Sequence, residues 1–300
     1  LYGCDAVQPT EDPVLVVEAF LDAGKPLPRV RLGQTTPLSQ PYQGTGTAVS
    51  DAEVRLSLGG REVVYRPVLG QPGVYEPAAP SGELVPPRVP FTIDVRWGAQ
   101  HATASGVTPP LIRIVDVSVS VTDEPIKAVQ LDSLVLDPAR LDTLRLDSTI
   151  TAAGLTYIYP VAVTVKWQVD FNEMGADSVY WVRTQLKPPA SVTSDRINFF
   201  LRPEQIQPER KVARDSSGRK RWTGIYAVPV ASEDAPLPPH RLRVALLRSN
   251  GDYARYASSR DAPERREPIS NVEGAIGIVS GISVDSLIVE VGPNTVASLP

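Results

Sequence analysis

The sequence predicts an all-β protein built as two β-sandwich domains in tandem. Three observations carry this. Apolar and polar residues alternate over short runs, as in Asp51-Ala52-Glu53-Val54-Arg55-Leu56-Ser57-Leu58, which is the period of a strand with one buried face. The 300 residues include 30 prolines, about double the usual share, and this argues against long helices. Finally, the length suits two domains of ordinary size. Val107-Thr108-Pro109-Pro110 is a stiff junction that blocks strand continuation. We therefore expect a first sandwich over 14–106, a linker over 107–110 and a second sandwich over 111–291 with inserted hairpins and a basic loop. Residues 1–13 form a leading tether and 292–300 a tail.

The first half reads as a series of short strands. Val14-Leu15-Val16-Val17-Glu18-Ala19-Phe20-Leu21 is strongly β-prone, and Gly24-Lys25-Pro26 ends it. Arg29-Val30-Arg31-Leu32 follows, then a Gly-, Thr-, Gln- and Pro-rich loop over 33–47. In the next run Val54, Leu56 and Leu58 face inward, and Gly59-Gly60 marks a hairpin turn into Val63-Val64-Tyr65. Pro72-Gly73 turns the chain into Val74-Tyr75. Phe91, Ile93, Val95 and Trp97 share one face of a further strand, and Gly98-Ala99 turns it back. Short strands at this spacing make a sandwich.

The second half opens with the alternating run Ile112 to Val119. Residues 131–150 hold a quasi-repeat in which Asp132, Asp137, Asp142 and Asp147 recur every five residues. Four units are too few for a solenoid; a hairpin turning at 137–140 is the simpler reading, and an acidic cation-binding edge the other. Val161, Val163, Val165 and Trp167 line the main core strand, with Ser178 to Leu186 as its expected partner. Asn198 to Leu201, Tyr226 to Val230 and Leu242 to Leu246 are further strands. Asn250 to Ser259 reads as one or two helical turns with Asp252 as a cap. Two apolar runs, 275–279 and 282–291, close the second sandwich.

The search for chemistry yields little. Net charge is −4, so no global basic field points to nucleic acid. No run of 18 apolar residues occurs in the sequence. One cysteine allows no internal disulfide and no cysteine-based zinc site. The two histidines, His101 and His240, fall in different expected domains and read as structural or exposed. G-x-S-x-G, P-loop, GxGxxG and HExxH motifs are absent from the sequence. Asp170-x-Asn172 with Gly175 resembles a calcium loop, but Met174 and Trp181 occupy ligand positions, so a turn is the better reading. We expect no catalysis, no cofactor and no metal site. The stretch 202–222 is basic, and Arg210, Lys211, Arg214, Arg219, Lys220 and Arg221 are its candidate contacts for a partner or ligand. Anionic lipid, polysaccharide or a receptor loop would suit them; a plain solvated loop is the alternative. Trp97, Trp167 and Trp181 read as core residues on strand faces.

The sequence Leu1-Tyr2-Gly3-Cys4 resembles a bacterial lipobox, the end of a signal peptide cut before a cysteine that then receives lipid. We expect Cys4 to be the lipidation site and the membrane contact. Together with Val14 to Leu21, Asp51 to Leu58, Pro72 to Pro77 and Glu267-Pro268-Ile269-Ser270-Asn271-Val272-Glu273-Gly274-Ala275-Ile276-Gly277-Ile278, this motif is similar to a family of Bacteroidota envelope lipoproteins of uncharacterised function. The resemblance implies an outer-membrane lipoprotein often encoded beside TonB-dependent receptors. It also implies transthyretin-like or immunoglobulin-like sandwiches. The expected role is a non-catalytic binding or accessory component working with such a receptor in uptake. Two other classes stay open: a carbohydrate- or peptide-acting hydrolase, and a structural or adhesin subunit of the envelope.

Overall fold

The computed structural model describes residues 13–36, 47–79, 82–127, 157–169, 178–187, 207–260, 269–293 and 297–298. The fold is all-β, and the chain divides into two units. The first comprises Leu1–Pro110 with Ser249–Ser283, the second Leu111–Arg248 with Val284–Pro300. The units are therefore not in simple tandem. Residues 249–283, expected in the second sandwich, belong to the first.

In the first unit the strands are β1 (Leu15–Asp22), β2 (Val30–Gln34), β3 (Glu53–Leu58), β4 (Arg61–Pro67), β5 (Val74–Pro77), β6 (Pro90–Trp97) and β7 (Gln100–Val107). They pair in the order β1-β2-β5-β4-β3-β6-β7. On the far side of β1 lies the start of a much later strand, Ile276–Val291, which pairs with it in parallel from Val16↔Ile276 to Asp22↔Ile282. This is why 276–283 leaves the second sandwich. Strand β1 is buried on alternate residues, and its free edge needs a partner. Val279 joins the same core, and Ile278 on the opposite face of the strand is equally buried, each 1% exposed. Gly277 makes the approach possible. Its φ is +129°, and a Cβ there would run into the backbone of Val17.

Expected features of this unit appear with physical detail. Val54, Leu56 and Leu58 are buried, as are Phe91, Ile93 and Val95. Gly59 and Gly60 have φ of +58° and +84°, the two positive values that a tight two-residue hairpin requires. Trp97 is only partly buried, because its Nε1 donates to Asp51 Oδ1 at 2.9 Å. Gln100 holds the start of β1 in place. Its Nε2 donates to Pro13 O at 2.7 Å, and its Oε1 accepts from the Leu15 amide at 3.0 Å. Gly251–Arg260 forms a helix, α1, whose Tyr253 amide donates to Asn250 Oδ1 at 3.2 Å. Asn250, rather than Asp252, is thus the cap, and the helix covers the expected stretch to within one residue at each end.

The second unit has β8 (Ile112–Val121), β9 (Ile126–Lys127), β10 (Tyr157–Val169), β11 (Val179–Lys187), β12 (Gln207–Pro208), β13 (Ala213–Arg214), β14 (Lys220–Val230) and β15 (His240–Ser249). It also holds the later part of β16 (Ile276–Val291) and β17 (Ala297–Ser298). One sheet runs β13-β14-β10-β8-β17, with β9 on β10; the other runs β12-β11-β15-β16. Both sheets feed one core, in which Val117, Val161, Val163, Val165, Tyr226, Leu242, Val244 and Leu246 are wholly buried. Two sheets sharing a core make a sandwich. The two apolar runs expected at the end are one continuous strand, β16.

Strand β8 does not alternate strictly, since its register shifts against β10 between Lys166 and Trp167. Val115 is left without an opposite residue, and Ile112, Ile114, Val117 and Val119 can all face the core. Strict alternation would have put Asp116 there; a β-bulge avoids it. The Ile114 amide donates instead to Asp285 Oδ2 at 2.8 Å. Strand β11 does not pair with β10, contrary to expectation, because both edges of β10 are taken by β14 and β8. It lies in the facing sheet and meets β10 through its side chains, with the Tyr180 and Trp167 ring centroids 5.3 Å apart. Trp181 points the other way and is partly buried, with the Arg183 guanidinium 4.9 Å from its ring centre. The aspartate quasi-repeat of 131–150, the Asp170–Gly175 turn and the expected strand at 198–201 lie outside the described residues.

Candidate functional site

From residue 207 onward, where it is described, the basic stretch is a built element of the second unit. Glu209–Lys211 is a single 3-10 turn between β12 and β13. Val212 drops into the core, and Ala213–Arg214 pairs with the start of β14. Between them the chain turns over Asp215-Ser216-Ser217-Gly218-Arg219. Asp215 Oδ1 accepts from the amides of Ser217 and Arg219, both at 2.9 Å, and from the Ser217 hydroxyl at 2.6 Å. Those hydrogen bonds hold its carboxyl below the usual aspartate range. Gly218 takes φ +78° at the tip, with no atom within 4 Å of the place a Cβ would occupy.

The pattern of this hairpin separates its cations into two kinds. Strand β14 alternates with a period of two, and Lys220 shares the inward face with Trp222, Tyr226, Val228 and Val230. Lys220 is 4% exposed. Its Nζ donates to Tyr180 Oη at 2.6 Å and to Glu209 Oε2 at 2.5 Å. Nζ also lies 4.5 Å from the centre of the Tyr180 ring. Arg248, also buried, donates from Nη2 to Ser178 Oγ at 3.1 Å and lies near the same ring. Lys220 is thus corrected from a surface contact to a structural ion. Arg210, Lys211, Arg214, Arg219 and Arg221 are exposed. Of these, Arg214 is committed to Glu209 at 3.5 Å and to the Gly218 carbonyl at 3.2 Å.

The electrostatics follow from this burial. Desolvation alone would raise the Glu209 carboxyl. Hydrogen bonds from Lys220 and Tyr180 and the charges of Lys220 and Arg248 outweigh it, so its pKa falls below the ordinary value. For Lys220, burial pushes the ammonium pKa down, and the Glu209 hydrogen bond opposes this. Tyr180 is pushed up by burial and stays a phenol. The result is a closed triangle of donors and acceptors beneath a cationic surface. The sequence search missed Glu209, Tyr180 and Arg248. One signal for Lys220 was legible, since it falls on the same period of two as Tyr226 and Val228. No spacing rule joins Glu209 or Tyr180 to it.

The histidines stand apart. His101 is exposed and lies 2.5 Å from Asp94. His240 is buried between the Pro238 carbonyl at 2.8 Å and the Tyr226 hydroxyl at 2.6 Å. A carbonyl only accepts, so Nδ1 carries the proton and Nε2 accepts from Tyr226. Burial lowers the His240 pKa and raises that of Tyr226. Among the described residues, no three His, Cys, Asp or Glu side chains gather to hold a metal ion. Cys4 lies outside the described residues. A comparison with curated proteins finds no match. Residues 5–288 match the family described as a domain of unknown function, DUF4249, and the chain belongs to that family.

Proposed function

We propose that this protein is a membrane-anchored envelope lipoprotein that binds or presents a partner without catalysis. The motif Leu1-Tyr2-Gly3-Cys4 carries the reading. Lipid on Cys4 would bury acyl methylenes at about 0.8 kcal/mol each, and more than one chain gives stable anchoring. A polar, proline-containing stretch follows before β1 begins at Leu15, which suits a tether. The partnership with a TonB-dependent outer-membrane receptor in uptake rests on the family resemblance of the sequence. A binding role is supported by how the buried ionisable groups are used: Glu209 and Lys220 hold each other, and His240 holds Tyr226.

The test is lipid labelling of the full-length precursor. Cys4→Ala is expected to abolish incorporation of radioactive palmitate and to move the protein from the membrane to the soluble fraction. Labelling unchanged in that variant would refute the anchor. Purification of the lipidated protein in mild detergent is expected to bring a TonB-dependent receptor with it; its absence would refute the partnership.

A further inference from the structure

We propose that the hairpin over 209–221 is a preformed docking surface for anionic headgroups of a bilayer. The inference rests on the anchoring reading above, which places a membrane within reach of the chain. Four cations face water there: Arg210 and Lys211 on the 3-10 turn, and Arg219 and Arg221 flanking the buried Lys220. Among the described residues, none of these four side chains has a carboxylate or hydrogen-bond partner. The segment's two acids do not offset them at the surface. Glu209 is consumed by Lys220 and Arg214, and the Asp215 carboxylate by the turn itself. A protein with net charge −4 thus concentrates positive charge on one short element.

That element is rigidly based, which a merely solvated loop would not need. The buried Lys220–Glu209–Tyr180 triangle fixes the root of both strands, Val212 is sunk in the core, and the Asp215 carboxylate locks the tip. Cations held in place lose less side-chain and loop entropy on docking. Three of the four are arginines, whose planar fork meets phosphate oxygens in pairs. Among anions of that chemistry, bilayer phosphate is favoured because tethering raises its effective concentration.

The experiment uses the full chain as Cys4→Ser, so that no acyl chain contributes. It is mixed with phosphatidylglycerol-containing vesicles or with pure phosphatidylcholine vesicles, and binding is read by sedimentation. We expect binding to the anionic vesicles only, falling as salt rises. Each neutralised cation is expected to weaken partitioning roughly fivefold. Arg210→Gln/Lys211→Gln/Arg219→Gln/Arg221→Gln then loses several-hundred-fold while keeping its melting temperature. Equal binding by the fourfold variant, no binding by the parent, or retention only on an acidic polysaccharide each overturns the proposal. Because Cys4 is absent throughout, these outcomes are independent of the palmitate result.

Discussion

Removing the Lys220 amine as Lys220→Met tests the buried root of the basic hairpin. The side chains of Lys220 and Glu209 are 5% and 8% exposed, so the pair is shielded from water. Deleting one member of such a pair leaves an uncompensated buried charge and costs ~3–5 kcal/mol. Glu209 keeps the Tyr180 hydroxyl and the Arg214 guanidinium at 3.5 Å. We therefore expect the lower end, about 3 kcal/mol. For a unit of this size, ~2–4 °C per kcal/mol makes that a fall of ~6–12 °C in melting temperature, measured by calorimetry. Lys220→Met/Glu209→Gln removes both charges, and Gln can still accept from Tyr180. Neutral replacement of a buried pair is often harmless, so the double variant is expected within about 1 kcal/mol of the parent. A coupling energy of ~2 kcal/mol or more should emerge from the cycle. If the single variant melts within ~2 °C of the parent, the pair behaves as a surface bridge of ~0–1 kcal/mol, and the argument from burial is wrong.

Two other predictions concern backbone and pH. Gly277→Ala places a Cβ against the Val17 backbone at φ +129°. It is expected to cost at least ~1–3 kcal/mol, and more than Gly218→Ala, where the tip is open. Comparable melting temperatures for these two variants would count against the close β1–β16 approach. His240 is held neutral, and burial keeps its folded pKa below the unfolded value of about 6.5. Below that value the unfolded chain takes up a proton that the folded chain resists, so stability falls as pH drops from 6.5 toward the folded pKa. Urea titrations at about pH 7 and about pH 5.5 should show this loss in the parent and a reduced loss in His240→Phe; an equal loss in both would remove His240 as its source.

The sequence by itself determined whatever depends on local periodicity and turn chemistry. Alternation placed Leu56, Ile93 and Val163 inside, and Gly59-Gly60 marked a hairpin that only positive φ could make. These features are local, because a strand's faces follow from its period of two and a tight turn from its residue types. Strand partners were a different matter. Ser178 to Leu186 looked like the neighbour of β10, but hydrogen-bonding edges are filled by whichever strands the whole chain brings together, and β10 had none left. Ile276 to Ile282 read simply as an apolar run; that it pairs in parallel with β1 depends on Gly277 meeting Val17 across some 260 residues of chain. The candidate site divides along the same line. Charge composition marked the basic stretch, and the period of β14 pointed Lys220 inward. Only tertiary packing put Glu209 and Tyr180 around its amine, turning one cation of the stretch into a structural ion and leaving the others at the surface.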